Sequence, residues 1–217
     1  MTAVAIFVKT PGYSPVKTRL AKDTGREWAE QWHLQAALAV AEVAQAAATG
    51  PVYWAVAEQS ALSDPLWKDF PVVTQGEGGL GKRMHQVHDR MTRRHGSTIL
   101  LGADAPQIQP DWLVQAAGWL EDAEAPRLCL GPAHDGGFWT FGANGPIAVE
   151  RWLKVHYSRN DTENEFRRAM NGLGEWLDLP PLTDFDRIED LAAVKRELDA
   201  LPDPLPRQVS LRQWLED

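Results

Sequence analysis

The chain has 217 residues, 44% of them hydrophobic and 24% charged, with a net charge of -8. That length suits one α/β domain with an ample core, and the acidic balance argues against a nucleic-acid partner. A single cysteine rules out a disulfide within the chain, and the six histidines show no zinc spacing.

Val4 to Val8 is a continuous apolar run that predicts a buried strand. The segment from Thr2 is too short for a bilayer span and has no basic leader, so a cytoplasmic chain without a membrane span is expected. Lys9 to Leu20 reads as a rigid loop, with Pro11, Gly12 and Pro15 inside it and Lys9, Lys17 and Arg19 at its ends. Thr24 and Glu27 have capping-box spacing, predicting a long helix that begins there. Trp28, Trp32, Ala36, Val40, Val43 and Ala47 form its apolar stripe, and Gly50-Pro51 closes it. Val52 to Ala57 and Val72 to Thr74 are predicted strands. Gly76 to Gly81 then leads into a helix with Met84, Val87 and Met91 facing inward.

Ser97 to Leu101 predicts a further buried strand ending on Gly102-Ala103-Asp104-Ala105-Pro106. A helix follows with Pro110 near its first turn. Arg127 to Pro132 is a strand that opens through His134-Asp135-Gly136-Gly137 into another. Helices around residues 148–153 and 164–170 flank a polar loop at 156–162. Glu175 to Leu179 and Leu182 to Phe185 are short strand candidates, and a helix runs from about Arg187 to Leu198. Residues 201–217 are expected to be a proline-containing surface tail with one short helix. Alternating strands and helices predict a single α/β domain over residues 1–200, with a Rossmann-like mixed, mostly parallel sheet and helices on both faces.

Ligands of such sheets collect outside the carboxyl ends of the strands, so three loops are candidates. Lys9, Lys17 and Arg19 follow the first strand, where fixed positive charge suits a diphosphate; otherwise they are solvated cations. The Gly79 and Gly81 turn, with Arg83 behind it, could admit a nucleotide, although its spacing matches neither a Walker nor a dinucleotide loop. Asp104 and Asp135 end neighbouring strands, and two such carboxylates can hold Mg²⁺ or Mn²⁺. Asp186 with Glu189 has capping spacing, which leaves Asp184 freer to face the site.

Five segments taken together, in this order, resemble one bacterial family. They are Lys9 with Val16-Lys17-Thr18-Arg19-Leu20, Gln75 with Gly79-Leu80-Gly81-Lys82-Arg83-Met84, Gly102-Ala103-Asp104-Ala105-Pro106, Gly131-Pro132 with Asp135-Gly136-Gly137, and Asp184-Phe185-Asp186 with Glu189-Asp190-Leu191. The family is the uncharacterised group of GT-A-type glycosyltransferases labelled arsenosugar-biosynthesis-like. The resemblance implies a nucleotide-diphospho-sugar transferase fold, with Asp104 where the superfamily's metal-binding aspartate falls. It also implies that the Lys17-Thr18-Arg19 loop and the Gly79 to Arg83 turn flank the nucleotide. The family's Trp-Ser-Thr segment reads Tyr157-Ser158-Arg159 here.

The expected activity is sugar transfer from a nucleotide-sugar to a small-molecule acceptor. Asp104 holds the metal with Asp184 or Asp135, and Asp135 contacts sugar hydroxyls or serves as general base. Nucleotidyl transfer from an NTP to a phosphorylated acceptor is the alternative, set back by a first loop with only Gly12. A nucleotide-binding relative without turnover is the third reading. Composition leaves the oligomeric state open.

Overall fold

Val4, Ile6 and Val8 pack on one side of the first strand and Ala3 and Ala5 on the other, and all are buried. A strand apolar on both faces belongs in the middle of a covered sheet. The computed structural model, which describes residues 1–121 and 124–216, places it there. Seven strands make up the sheet: β1 (Thr2–Val8), β2 (Val52–Val56), β3 (Val72–Thr74), β4 (Ser97–Gly102), β5 (Arg127–Pro132), β6 (Phe138–Ala143) and β7 (Glu175–Asp178). Their order is β3-β2-β1-β4-β6-β5-β7. Only the pairings of β6, to β4 and to β5, are antiparallel among the described strands. The strand order reverses between β1 and β4, and a crevice opens at such a switch point beyond the carboxyl ends.

The helices are α1 (Leu20–Thr24), α2 (Arg26–Ala47), α3 (Leu80–His95), α4 (Pro110–Glu121), α5 (Val149–Leu153), α6 (Thr162–Met170), α7 (Leu191–Asp199) and α8 (Pro206–Trp214). Side chains of α2 and α4 cover the sheet face that carries Val4, Ile6 and Val8. Those of α3, α5 and α6 cover the face of Ala3 and Ala5. Cys129 lies fully buried in the first of these layers, and burial pushes its thiol up to about 12, so it is inert at neutral pH.

A third apolar cluster, absent from the sequence expectations, joins α1, α2, α7 and α8 through Leu20, Trp32, Phe185, Val194, Leu198 and Leu211. It corrects the expected surface tail. Leu211 is buried, Trp214 stacks on Trp28 at 4.7 Å, and Gln208 donates to the carbonyls of Pro106 and Ile108. Apolar burial of this kind outweighs the entropy of ordering a short segment.

Two boundaries also differ. Thr24 does not cap the long helix: it ends α1, its hydroxyl donates to the Leu20 carbonyl, and Gly25 at φ 87° breaks the chain before α2. Leu182 to Phe185 is no strand; Leu182 makes only an isolated bridge to Ala133. No described helix is long and apolar enough to cross a membrane.

Candidate active site

The loop after β1 is pinned at its base. Glu58 accepts from the Thr10 amide at 2.9 Å and from the Ser14 hydroxyl, while Trp67 Nε1 donates to Thr10 Oγ1 at 3.0 Å. At its far end Leu20 is buried in the third cluster. Between these anchors Lys17 takes φ 42°, and its side chain turns inward with 5% exposure.

Asp184 and Asp186 reach the same place by period-two alternation. Phe185 between them is fully buried, 4.7 Å from the Trp32 ring, so both flanking carboxylates turn to the opposite side. Asp104 arrives from the end of β4. The Lys17 Nζ lies 3.1 Å from Asp104 Oδ2, 2.9 Å from Asp184 Oδ1 and 2.7 Å from Asp186 Oδ1. Arg19 Nη1 stands 3.3 Å from Asp186 Oδ2. His33, buried on α2, places Nδ1 3.4 Å from Asp104 Oδ1 and Nε2 2.9 Å from the Lys9 carbonyl oxygen. Asp104 and Lys17 therefore meet directly, with Arg19 joined to them through Asp186.

Burial alone would lower the Lys17 ammonium, but the charges of Asp104, Asp184 and Asp186 outweigh it and hold the group well above its usual range. For Asp104, burial opposes ionisation, yet the Lys17 charge and the His33 contact hold the carboxyl below the usual range. Asp184 goes the other way: burial, with Asp104 and Asp186 close by, pushes it up to about 7 despite Lys17. Three carboxylates share one ammonium, and the least favoured keeps its proton.

A raised carboxyl makes stability fall as pH climbs from its unfolded value of 3.8 towards 7, because the native state binds the extra proton. Buried His88, lowered to about 4 mainly by desolvation, has the opposite slope below 6.5, so the two offset each other in the parent chain. Their difference is separable by mutation. Asp184→Asn should gain melting temperature relative to the parent as pH rises from about 5 to about 7.5. A difference independent of pH in calorimetric melts would contradict the raised Asp184.

Around this cluster lies a cleft of about 870 Å³ whose walls include Phe7, Lys9, Leu80, Met84, Asp135 and Arg159. Asp135 sits in the β5–β6 hairpin, where Oδ1 accepts from the Gly137 amide at 2.9 Å. Gly136 at φ 88° belongs to that turn, and a Cβ there would collide with the Asn160 backbone, so the hairpin and the 156–162 loop close against each other. Lys9 lines the cleft as an exposed residue.

The glycine-rich turn reaches the cleft through side chains other than those singled out in the sequence. Gly79, Gly81 and Arg83 are not among the cleft-lining residues, whereas Leu80 and Met84 are. Arg83 Nε donates to the Gly78 carbonyl at 2.9 Å. A Cβ on Gly81 would lie 2.5 Å from the Tyr157 ring and 2.6 Å from the Trp152 carbonyl oxygen, so this glycine serves helix packing. Gly81→Ala should destabilise the chain by about 1–3 kcal/mol through overpacking, read by denaturant melts.

Three residues of the cluster or the cleft wall were given no place in the site from the sequence. Asp186 is a site carboxylate, because Asp190 Oδ2 takes the capping role by accepting from the amides of Asp186 and Arg187. His33 reads as one more polar position on a helix. Gln75, 5% exposed on the cleft wall, donates both Nε2 hydrogens to the carbonyls of Val8 and Ala55. Its amide cannot flip, since those carbonyls only accept, so Oε1 is the atom left for a ligand. The i,i+2 spacing of Asp184 and Asp186 across an aromatic was the one legible signal among these.

The donor set around Lys17 is all carboxylate oxygen, the chemistry that suits Mg²⁺ or Mn²⁺, and it carries more negative charge than Lys17 balances. Asp104 and Asp184 thus fit a hard divalent ion in kind. The Lys17 ammonium lies within 3.1 Å of both, and among the described residues no group of three or more His, Cys, Asp or Glu is arranged to hold a metal ion.

Fold and site together define a nucleotide-diphospho-sugar transferase fold with an acidic cluster at its switch point. A Desulfovibrio desulfuricans G20 protein provisionally described as a nucleotide-diphospho-sugar transferase has this fold, with a TM-score of 0.85 at 19% identity over 99% of this chain and 95% of that one. A Methanothermobacter nucleotidyl transferase superposes with a TM-score of 0.60 at 13% identity, covering 91% and 98% of the two chains. A CMP:2-keto-3-deoxy-manno-octonic acid synthetase complexed with CTP gives 0.54 at 12%, covering 89% and 97%. Residues 24–159 match the family described as an uncharacterized protein conserved in bacteria, DUF2064, and the chain belongs to that family. No curated protein matches it.

Proposed function

We propose that this protein transfers a glycosyl group from a nucleotide-diphospho-sugar to a small-molecule acceptor. The observation that carries the reading is the meeting of Asp104, Asp184, Asp186, Lys17 and Arg19 in one cleft at the switch point. Asp104 and Asp184 are the residues that would hold Mg²⁺ or Mn²⁺, which supplies Lewis-acid neutralisation of the departing diphosphate. Arg19, half exposed beside the cluster, offers bidentate donors to the same phosphates, and Lys9 adds charge at the cleft rim. Phe7, Leu80 and Met84 form an apolar wall for a flat base. The fixed Gln75 Oε1 beside them favours a base edge that presents an N–H.

Asp135 orients acceptor or sugar hydroxyls. One carboxylate oxygen accepts from the Gly137 amide of its own turn, and the other would accept a hydroxyl proton. Arg159 and Asn160 on the facing loop bound the acceptor end.

Nucleotidyl transfer is the second reading, favoured by the names of the Methanothermobacter and CTP-bound structures of the same fold. The test incubates the protein with Mn²⁺ and panels of nucleotide-sugars, or of NTPs with sugar phosphates. Release of a nucleoside diphosphate supports glycosyl transfer; release of pyrophosphate supports nucleotidyl transfer. Failure of every nucleotide to bind by calorimetry would overturn both.

A further inference from the structure

Outside the cleft, a separate network of polar side chains joins the two loops that carry Asp104 and Asp184. Glu197, partly buried on α7, accepts from the Thr183 amide at 3.1 Å and from the Thr183 hydroxyl at 2.6 Å. It also accepts from Gln107 Nε2 at 2.7 Å, and the same nitrogen donates to the Thr183 carbonyl at 2.7 Å. Gln107 follows Asp104 on one loop, Thr183 precedes Asp184 on the other, and both are buried. Glu197, Gln107 and Thr183 are not among the cleft-lining residues.

Both Nε2 hydrogens of Gln107 meet acceptors, which fixes the amide and leaves its Oε1 buried without a partner. An orphaned acceptor costs stability, and an apolar side chain of similar size would avoid that cost. What the polar arrangement supplies is register, because directional bonds hold two loops at one spacing. Glu197 grips Thr183 while Phe185 is anchored against Trp32, so the Asp184 backbone is held on both sides. On the other loop, Gln208 of α8 holds the carbonyls of Pro106 and Ile108, on either side of Gln107.

We infer that Glu197 is a positioning residue that sets the spacing of the Asp104 and Asp184 loops from outside the cleft. It thereby sets the cleft's grip on a nucleotide, a ligand class that rests on the proposed function. The effect passes through hydrogen-bond geometry and not through charge. In Glu197→Gln the amide oxygen can replace Oε2, and the amide nitrogen can face the Thr183 hydroxyl, which also accepts. Glu197→Leu keeps the bulk and the helix propensity but supplies no acceptor.

The test measures binding of UDP, GDP, ADP and CDP, each with Mn²⁺, by calorimetry to the full chain and to both variants, beside thermal melts. For the diphosphate that the parent binds best, folded Glu197→Leu should bind about tenfold more weakly or worse, and Glu197→Gln should stay within about threefold. Equal binding by the parent and Glu197→Leu, or a loss as large in Glu197→Gln, overturns this role. A second readout needs no ligand. The backbone amide resonances of Asp104 and Asp184 should both shift in Glu197→Leu and return in Glu197→Gln; an unmoved Asp104 resonance overturns the role. Should Glu197→Leu not fold, Thr183→Val removes one bond of the network and is read by the same two measurements and criteria. A parent that binds no nucleoside diphosphate overturns the proposed function, and the resonances still decide the role of Glu197.

Discussion

Asp104→Asn is expected to reduce transfer by about 100-fold or more, equivalent to ~2.7 kcal/mol of barrier, while the protein stays folded. The substitution conserves shape and removes one charge from the place where Lys17, His33 and Asp184 meet. Lys17 retains Asp184 at 2.9 Å and Asp186 at 2.7 Å, so its ammonium is not stranded. The loss should therefore appear in metal-dependent nucleotide binding and turnover rather than in the melting curve. Calorimetry of a nucleoside diphosphate with Mn²⁺, set beside thermal melts, separates the two. Unchanged binding would remove Asp104 from the donor site.

Lys17→Ala is expected to have the largest effect on stability, about 3 kcal/mol at neutral pH. Removing one partner of a buried ion cluster leaves the others under-compensated, and here one removal takes the shared ammonium from three carboxylates, of which Asp186 keeps Arg19 and Asp104 keeps the His33 contact. Each is about one-third exposed, which places the effect at the low end of the range for buried pairs. The loss should shrink at acid pH, where protonation relieves the repulsion, and Mn²⁺ should recover part of it. Denaturant melts at two pH values, with and without the ion, measure both. A variant as stable as the parent would mean that the carboxylates do not depend on Lys17.

Most of the architecture was legible because each element carried its own signal. β1, β2, β4 and β5 read as apolar runs, α2 by its stripe, and α3 by Met84, Val87 and Met91 on one side. The errors arose where short elements depend on distant partners. Residues 201–217 look like a polar tail until Leu211 and Trp214 find α2, and Leu182 looks like a strand until its neighbours fail to extend a ladder. Thr24 and Glu27 had the spacing of a cap, but Gly25 at φ 87° starts the helix without a side-chain bond.

For the site, the types of residue were visible and their pairing was not. Strand-end carboxylates and loop cations could be chosen from position alone, which led to Asp104, Asp135, Lys9, Lys17 and Arg19. The sequence by itself determined the alternation of strands and helices, the acidic character and the strand-end placement of Lys9, Asp104 and Asp135, which line the cleft. These follow from local hydrophobic period and turn chemistry, which neighbouring residues encode. Only the tertiary structure decided that Lys17 faces three aspartates instead of solvent, that Asp186 joins them, and that Gly81 packs a helix. Those outcomes depend on contacts up to 169 positions apart along the chain, where Coulomb attraction and packing act through space and leave no local pattern.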